Sequence, residues 1–214
     1  TRSWPEALTT PTRYKDWVEI AFVESPPLAG LVSRMMKPSQ NLYAQLLFLQ
    51  VGAATSGAVE SSETTEDRAL EELRRFMREA GIDPREVLLE EGSGLSRGAL
   101  VTPGATVRLL QFMDRHRHAD AFRAALPIAG VDGTLRNRLK ESPAFRNVRA
   151  KTGTLRYVNS LSGYLTTQAG ERLAFSIMLN NYLESDRGRP ARADVDAIAI
   201  LLAEHSSRSA ASER

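Results

Sequence analysis

The chain has 214 residues, 42% hydrophobic and 25% charged, which fits one ordinary folded domain or a large piece of one and excludes wholesale disorder. Its 28 basic and 26 acidic residues leave a formal charge of +2, too balanced to argue for nucleic acid by bulk electrostatics. Cysteine is absent, which removes disulfides, thiolate metal sites and cysteine nucleophiles. No apolar run approaches the ~20 residues needed to span a bilayer, and the first residues carry no basic-then-apolar targeting pattern.

Val18, Ile20 and Phe22 alternate with Glu19, Ala21 and Val23, the pattern of a half-buried strand that Ser25-Pro26-Pro27 then breaks. Leu28, Leu31, Val32, Met35 and Met36 recur at helical spacing until Lys37-Pro38 interrupts them. A second apolar helix is predicted from Asn41 to Ala53, so Ser39 sits at a break between two helices. It either caps the second helix or projects from a fixed point. Gly52 to Thr65 reads as a surface loop, and Glu66 to Ala80 as a helix burying Leu70, Leu73, Phe76, Met77 and Ala80, with Gly81 placed to stop it.

A short apolar run at Val87-Leu88-Leu89 precedes a glycine-bearing loop, and Thr102-Pro103 signals another helix start. The last third reads as an antiparallel meander: strands at Val148–Lys151, Leu161–Thr166 and Leu173–Leu179, separated by Gly153 and by Gln168-Ala169-Gly170. A helix over Asp194–Glu204 closes the chain. The predicted fold class is α+β, an antiparallel sheet with helices packed around it, with no linker that divides it in two.

Only Lys15, Lys37, Lys140 and Lys151 among the basic residues are lysines, so chemistry that needs a lysine has few candidates. Lys151-Thr152-Gly153 lies in an apparent strand, and Ser39-Gln40-Asn41 forms a Ser-x-Asn element before a helix. Each tripeptide alone is weak. Together, and in this chain order, they match two of the three elements of the penicillin-interacting serine acyl-transfer site, whose third is Ser-x-x-Lys.

More of the chain carries the same resemblance. Ser25-Pro26-Pro27-Leu28, Met35-Met36-Lys37-x-Ser39-x-Asn41-Leu42, Gly92-Ser93-Gly94-Leu95-Ser96-Arg97, Leu100-Val101-Thr102-Pro103, Gly130-Val131-Asp132-Gly133-Thr134-Leu135, Ala150-Lys151-Thr152-Gly153-Thr154, Ser162-Gly163-Tyr164-Leu165 and Asn180-Asn181-Tyr182 follow one another in order. This series resembles the D-alanyl-D-alanine carboxypeptidase/endopeptidase family, the class C low-molecular-mass penicillin-binding proteins, over roughly Trp17 to Leu202. Two positions depart from it: Gln40 replaces the usual Asp or Asn, and Glu91 stands where Asp is common.

A larger departure concerns the nucleophile. The positions three before the four lysines hold Thr12, Arg34, Asn137 and Val148, so no Ser-x-x-Lys is present. The resemblance therefore implies that residues 1–214 are the C-terminal portion of one transpeptidase-like domain, of the serine β-lactamase and penicillin-binding-protein kind, whose nucleophile lies upstream. It implies a periplasmic or otherwise extracytoplasmic parent enzyme, without metal or cofactor, that cleaves D-Ala-D-Ala bonds of peptidoglycan stem peptides through an acyl-enzyme and binds β-lactams. Ser39 would relay a proton, Asn41 would hold the substrate amide and the base lysine, and Lys151 would supply positive charge. Thr152, Gly153 and Thr154 would bind the carboxylate and oxyanion, and Leu95, Arg97 and Leu155 would line a side-chain subsite.

The competing expectations are a non-catalytic fragment or degenerate homologue with a binding or scaffolding role, and a β-lactamase-like hydrolase, which fits the Gly92–Arg97 block less well. Self-association is also expected, because losing half of a domain exposes apolar surface. His116 and His118 with Asp114 and Asp120 read as a polar helix end rather than a metal site. Arg136 and Arg138 read as a solvated helix face.

Overall fold

A computed structural model describes residues 18, 20–55, 63–182 and 190–208 of the chain. In order, the helices and strands are α1 (Leu28–Met36), α2 (Asn41–Ala54), α3 (Thr65–Glu79), β1 (Val87–Leu88), β2 (Leu100–Val101), α4 (Pro103–Arg115), α5 (Ala119–Ala125), β3 (Arg149–Leu155), β4 (Val158–Thr166), β5 (Arg172–Asn180) and α6 (Ala191–Glu204). Short 3-10 turns occupy Pro84–Glu86 and Gly133–Leu135.

The antiparallel meander is ordered β3-β4-β5. Period-two alternation divides β4 between two faces. Leu161 pairs with Ile177, Gly163 with Phe175 and Leu165 with Leu173, and this face meets Val195, Ala199 and Ala203 of α6 in the core. On the opposite face Ser162 and Ser176 hydroxyls lie 2.9 Å apart, and the Tyr164 hydroxyl donates to the Leu110 carbonyl of α4 at 2.6 Å. Burial on that face pushes the Tyr164 phenol up to about 12. The sheet is thus sandwiched between α6 and α4, with Lys151 on the α4 side because it pairs with Ser162.

Local capping accounts for several helix starts. The Thr102 hydroxyl accepts from Ala105 N–H at 3.0 Å, with Pro103 at the first helical position. Thr64 and Asp67 form a reciprocal capping box before α3. Helix α3 is half-buried along its predicted face, and its one fully buried residue is Ala69, beside Gly52 of α2.

Five expectations need correction. The predicted Val18–Val23 strand is not one: among its described residues Val18, Ile20, Phe22 and Val23 are exposed and pair with nothing. Alternation makes a segment able to pair but does not bring it to a sheet edge: the outer edge of β5 is unpaired among the described residues, and the described residues of this segment do not join it. Gly153 does not end β3, which runs on to Leu155 and turns at Arg156-Tyr157. Arg138 does not lie on a solvated helix face. It is half-buried and donates to Asp196 of α6 at 2.5 Å, joining the segment before β3 to the last helix. His116 and His118 do not share a helix end: His116 closes α4 and His118 precedes α5. The predicted loop at Gly52–Thr65 begins too early and ends one residue late, since Gly52–Ala54 belong to α2 and Thr65 to α3; residues 56–62 lie outside the described residues.

Candidate active site

Ser39 follows α1 in an uncommon backbone conformation. Gln40 N–H reaches back to Met35 O at 2.8 Å and Ser39 N–H to Met36 O at 3.3 Å, the paired closure of a Schellman motif. In that motif the second-to-last donor sits in the left-handed region, normally as glycine, and Ser39 sits there with φ +60°. Ser39 is not the cap of α2. Gln40 takes that place, its side-chain oxygen accepting from Leu42 N–H at 3.4 Å. The extra methylene of Gln40 relative to Asn or Asp therefore leaves a long, weak cap.

From β3, 112 positions away, the Lys151 ammonium donates to Ser39 Oγ at 2.6 Å and to its neighbour's carbonyl, Thr152 O, at 2.8 Å. Burial holds the Lys151 ammonium below the ordinary lysine range, because desolvation disfavours the charged form. Since Ser39 Oγ accepts this bond, its own proton is available for another acceptor. Asn41, two residues on, is the exposed first residue of α2, and its amide has no hydrogen-bond partner among the described residues.

The remaining candidates separate into two groups. Thr152, Gly153, Thr154 and Leu155 continue along β3 beside Lys151. The Thr152 hydroxyl donates to Thr134 Oγ1 at 2.8 Å, so its one proton is already engaged, whereas Thr154 is exposed. Leu95 and Arg97 are exposed on the glycine-bearing loop, which no hydrogen bond among the described residues joins to β3. That loop rests on α2 instead: Gly92 N–H donates to Gln45 Oε1 at 2.9 Å. Glu91 braces it, accepting from the N–H groups of Ser93 at 2.5 Å, Leu95 at 2.8 Å and Ser96 at 3.1 Å. Partial burial pushes the Glu91 carboxyl up, but the hydrogen bonds from Ser93, Ser96 and Leu95 outweigh it and hold the group below the usual carboxylate range. Glu in place of Asp thus serves the loop's internal folding.

Residues matching 2–202 fit the D-Ala-D-Ala carboxypeptidase 3 (S13) family. The chain belongs to this family. It is 37% identical over 94% of its length to a D-alanyl-D-alanine carboxypeptidase of Actinomadura sp. (strain R39), and 34% identical over 76% to the D-alanyl-D-alanine carboxypeptidase DacB of Haemophilus influenzae. A crystal structure of penicillin binding protein 4 (dacB) from Haemophilus influenzae, complexed with a β-lactam, superposes with a TM-score of 0.68 at 31% identity, covering 82% of this chain. The chain spans 36% and 33% of the length of the two S13 relatives and 40% of the solved chain. The mixed architecture, helices with an antiparallel sheet, is that of the penicillin-binding-protein structure.

Sequence reasoning passed over four residues that the structure places around Ser39 and Lys151. Lys37 pairs with Asp132 at 2.7 Å, and Thr134 holds Thr152. Asn159, opposite Thr154, is buried with its Oδ1 unpartnered among the described residues. For Asp132 and Thr134 the signal was present, in the Gly130–Leu135 block, but a block match says nothing of what its side chains touch.

Proposed function

We propose that this chain is the C-terminal part of a serine-type D-Ala-D-Ala carboxypeptidase/endopeptidase acting on peptidoglycan stem peptides. Its nucleophilic Ser-x-x-Lys belongs to a part of the protein outside these 214 residues. The observation that carries the reading is the 2.6 Å hydrogen bond from a desolvated Lys151 to Ser39, between two motifs far apart in sequence. Perturbed ionisable groups gather where chemistry needs them.

In the proposed reaction the nucleophilic serine oxygen bonds to the carbonyl carbon of the penultimate D-Ala, and the C–N bond to the terminal D-Ala breaks. Ser39, polarised by Lys151, gives its proton to the departing amine and regains one from the nucleophile's side of the site. Water then cleaves the ester, so one difficult step becomes two. Asn41 offers both ends of its free amide to the substrate backbone. Thr154 receives the substrate carboxylate, with Thr152 contributing only if it exchanges its bond to Thr134. The Thr154 N–H completes the oxyanion site with the nucleophile's own. Leu95, Arg97 and Leu155 line the approach of the stem peptide, and a β-lactam enters by the same route.

The substrate puts the parent protein in the periplasm or another extracytoplasmic space. No described helix is long and apolar enough to cross a membrane. Leu28, Leu42 and Leu46 are exposed on α1 and α2, so the chain taken alone is expected to self-associate.

Labelled penicillin and intact-protein mass spectrometry test the proposal. The 214-residue chain should form no stable adduct, and the protein that includes the upstream segment should form one. A stoichiometric adduct on the short chain refutes an external nucleophile. No adduct on the longer protein instead supports a non-catalytic, degenerate homologue, the reading favoured by the absence of Ser-x-x-Lys here.

A further inference from the structure

We propose that the Lys37–Asp132 ion pair is a positioning clamp for catalysis, holding Ser39 in its left-handed conformation within reach of Lys151. The inference rests on the proposed acyl-transfer function. Lys37 lies two residues before Ser39, and its ammonium donates to Asp132 Oδ2 at 2.7 Å and to the Leu126 carbonyl at 2.6 Å. The other Asp132 oxygen accepts from Ile128 N–H at 2.9 Å, so both carboxylate oxygens are used. The backbones join as well: Thr134 N–H donates to Lys37 O at 3.0 Å. Gly133, φ +55°, lies so close that a Cβ there would stand 2.4 Å from Lys37 O.

The same turn is fastened to β3. Thr134 Oγ1 accepts from Thr152, Ala150 N–H donates to Pro127 O at 3.0 Å, and Ile128 bridges Arg149. The segment from Leu126 to Thr134 thus touches the turn bearing Ser39 on one side and the strand bearing Lys151 on the other. A serine in the left-handed region persists only where its surroundings over-determine it. The Schellman closure supplies part of that constraint, but it would hold glycine equally well. What it cannot set is the distance from Ser39 to a strand 112 positions away. The clamp sets that distance.

The test uses the full-length protein, with Lys37→Met, Asp132→Asn, the double variant and Lys37→Arg. Saturating acylation by penicillin should fall roughly 10- to 100-fold in each single variant, as expected for a misplacement of about 1 Å, with the penicillin dissociation constant nearly unchanged. The double variant should be no slower than either single, because the two residues act as one unit. Lys37→Arg keeps the charge but not the compact ammonium geometry, so its rate should lie between those of the wild type and Lys37→Met. Losses that multiply in the double variant, or single variants as fast as an acylated wild type, overturn the clamp and leave the acyl-transfer function standing. An unacylated wild type overturns the acyl-transfer function instead. A crystal structure of Asp132→Asn decides the clamp in either case: Ser39 still left-handed and still hydrogen-bonded to Lys151 would refute it.

Discussion

Helices α1 and α3 end in the same hydrogen-bonded closure, yet one ends on Ser39 and the other on Gly81. After α3, Ile82 N–H reaches Met77 O at 2.9 Å and Gly81 N–H reaches Arg78 O at 3.0 Å, the same residue offsets as Gln40–Met35 and Ser39–Met36. The central residue has φ +70° in Gly81 and +60° in Ser39. At Gly81 there is no atom within 4 Å of where a Cβ would be, so nothing but backbone preference selects glycine. At Ser39 the backbone preference is the same and is overruled, at a cost of ~1 kcal/mol. A side chain that tolerates this cost is there for its hydroxyl, and that hydroxyl meets Lys151. Leu139, Arg146, Tyr157 and Asn181 are left-handed as well, so what ties Ser39 to function is the broken local rule together with the contact to Lys151, not the backbone conformation alone.

The largest effect should come from the partner of the strained residue. In the full-length protein Lys151→Ala should slow acylation by penicillin ~1,000-fold, the scale of removing a preorganised charge from an acyl-transfer site. A rate within a few-fold of wild type, measured by stopped mixing and mass analysis, would mean that the contact with Ser39 is structural.

Ser39→Gly separates the two helix ends most directly. It relieves the left-handed strain of ~1 kcal/mol but takes one acceptor from the buried Lys151 ammonium, so stability in urea should change by no more than ~1 kcal/mol. Acylation should nonetheless fall ~100-fold or more, because the relay hydroxyl is gone. A larger loss of stability together with activity would show that Ser39 serves packing instead.

The pH dependence of Lys151 sharpens the electrostatic side. Its folded pKa is lowered by burial, so between that value and the ordinary 10.5 the unfolded state binds more protons. Stability therefore rises with pH across that window, and Lys151→Met should flatten the rise in urea titrations. Acylation, which uses the ammonium, should fail on the alkaline side at a pH below 10.5. Loss at or above that value would contradict the desolvation seen here.

Gly81→Ala should give the smallest response. It should cost ~1 kcal/mol of stability through backbone strain alone and leave the acylation rate of the folded protein unchanged. An equal loss of activity would erase the distinction between the two helix ends.

Residues whose signals are local were readable from the chain itself. The apolar spacing of α1 and α2, the Thr102-Pro103 start of α4 and the Gly81 stop of α3 all depend on groups within about one helical turn. Ser39, Asn41 and Lys151 were legible as motif members because their neighbours are also sequence neighbours. Val18–Val23 misled because its alternation states only that a segment can pair. Gly153 misled because glycine marks both strand ends and strand interiors, and here β3 continues to Leu155.

By itself the sequence determined where most helices lie to within a few residues, the α+β class and the residue types of the acyl-transfer motifs, since each is written in short-range spacing; it gave no sign of α5 and set the start of α6 at Asp194 rather than Ala191. Only the tertiary structure decided that Ser39 is left-handed, that Lys37 meets Asp132 across 95 positions, and that Thr152 is engaged by Thr134. The physical reason is range. Helix periodicity and caps act over a few residues, whereas a hydrogen bond of 2.6 Å between Lys151 and Ser39 depends on how a sheet, a turn and a helix end pack together. No local pattern encodes that distance.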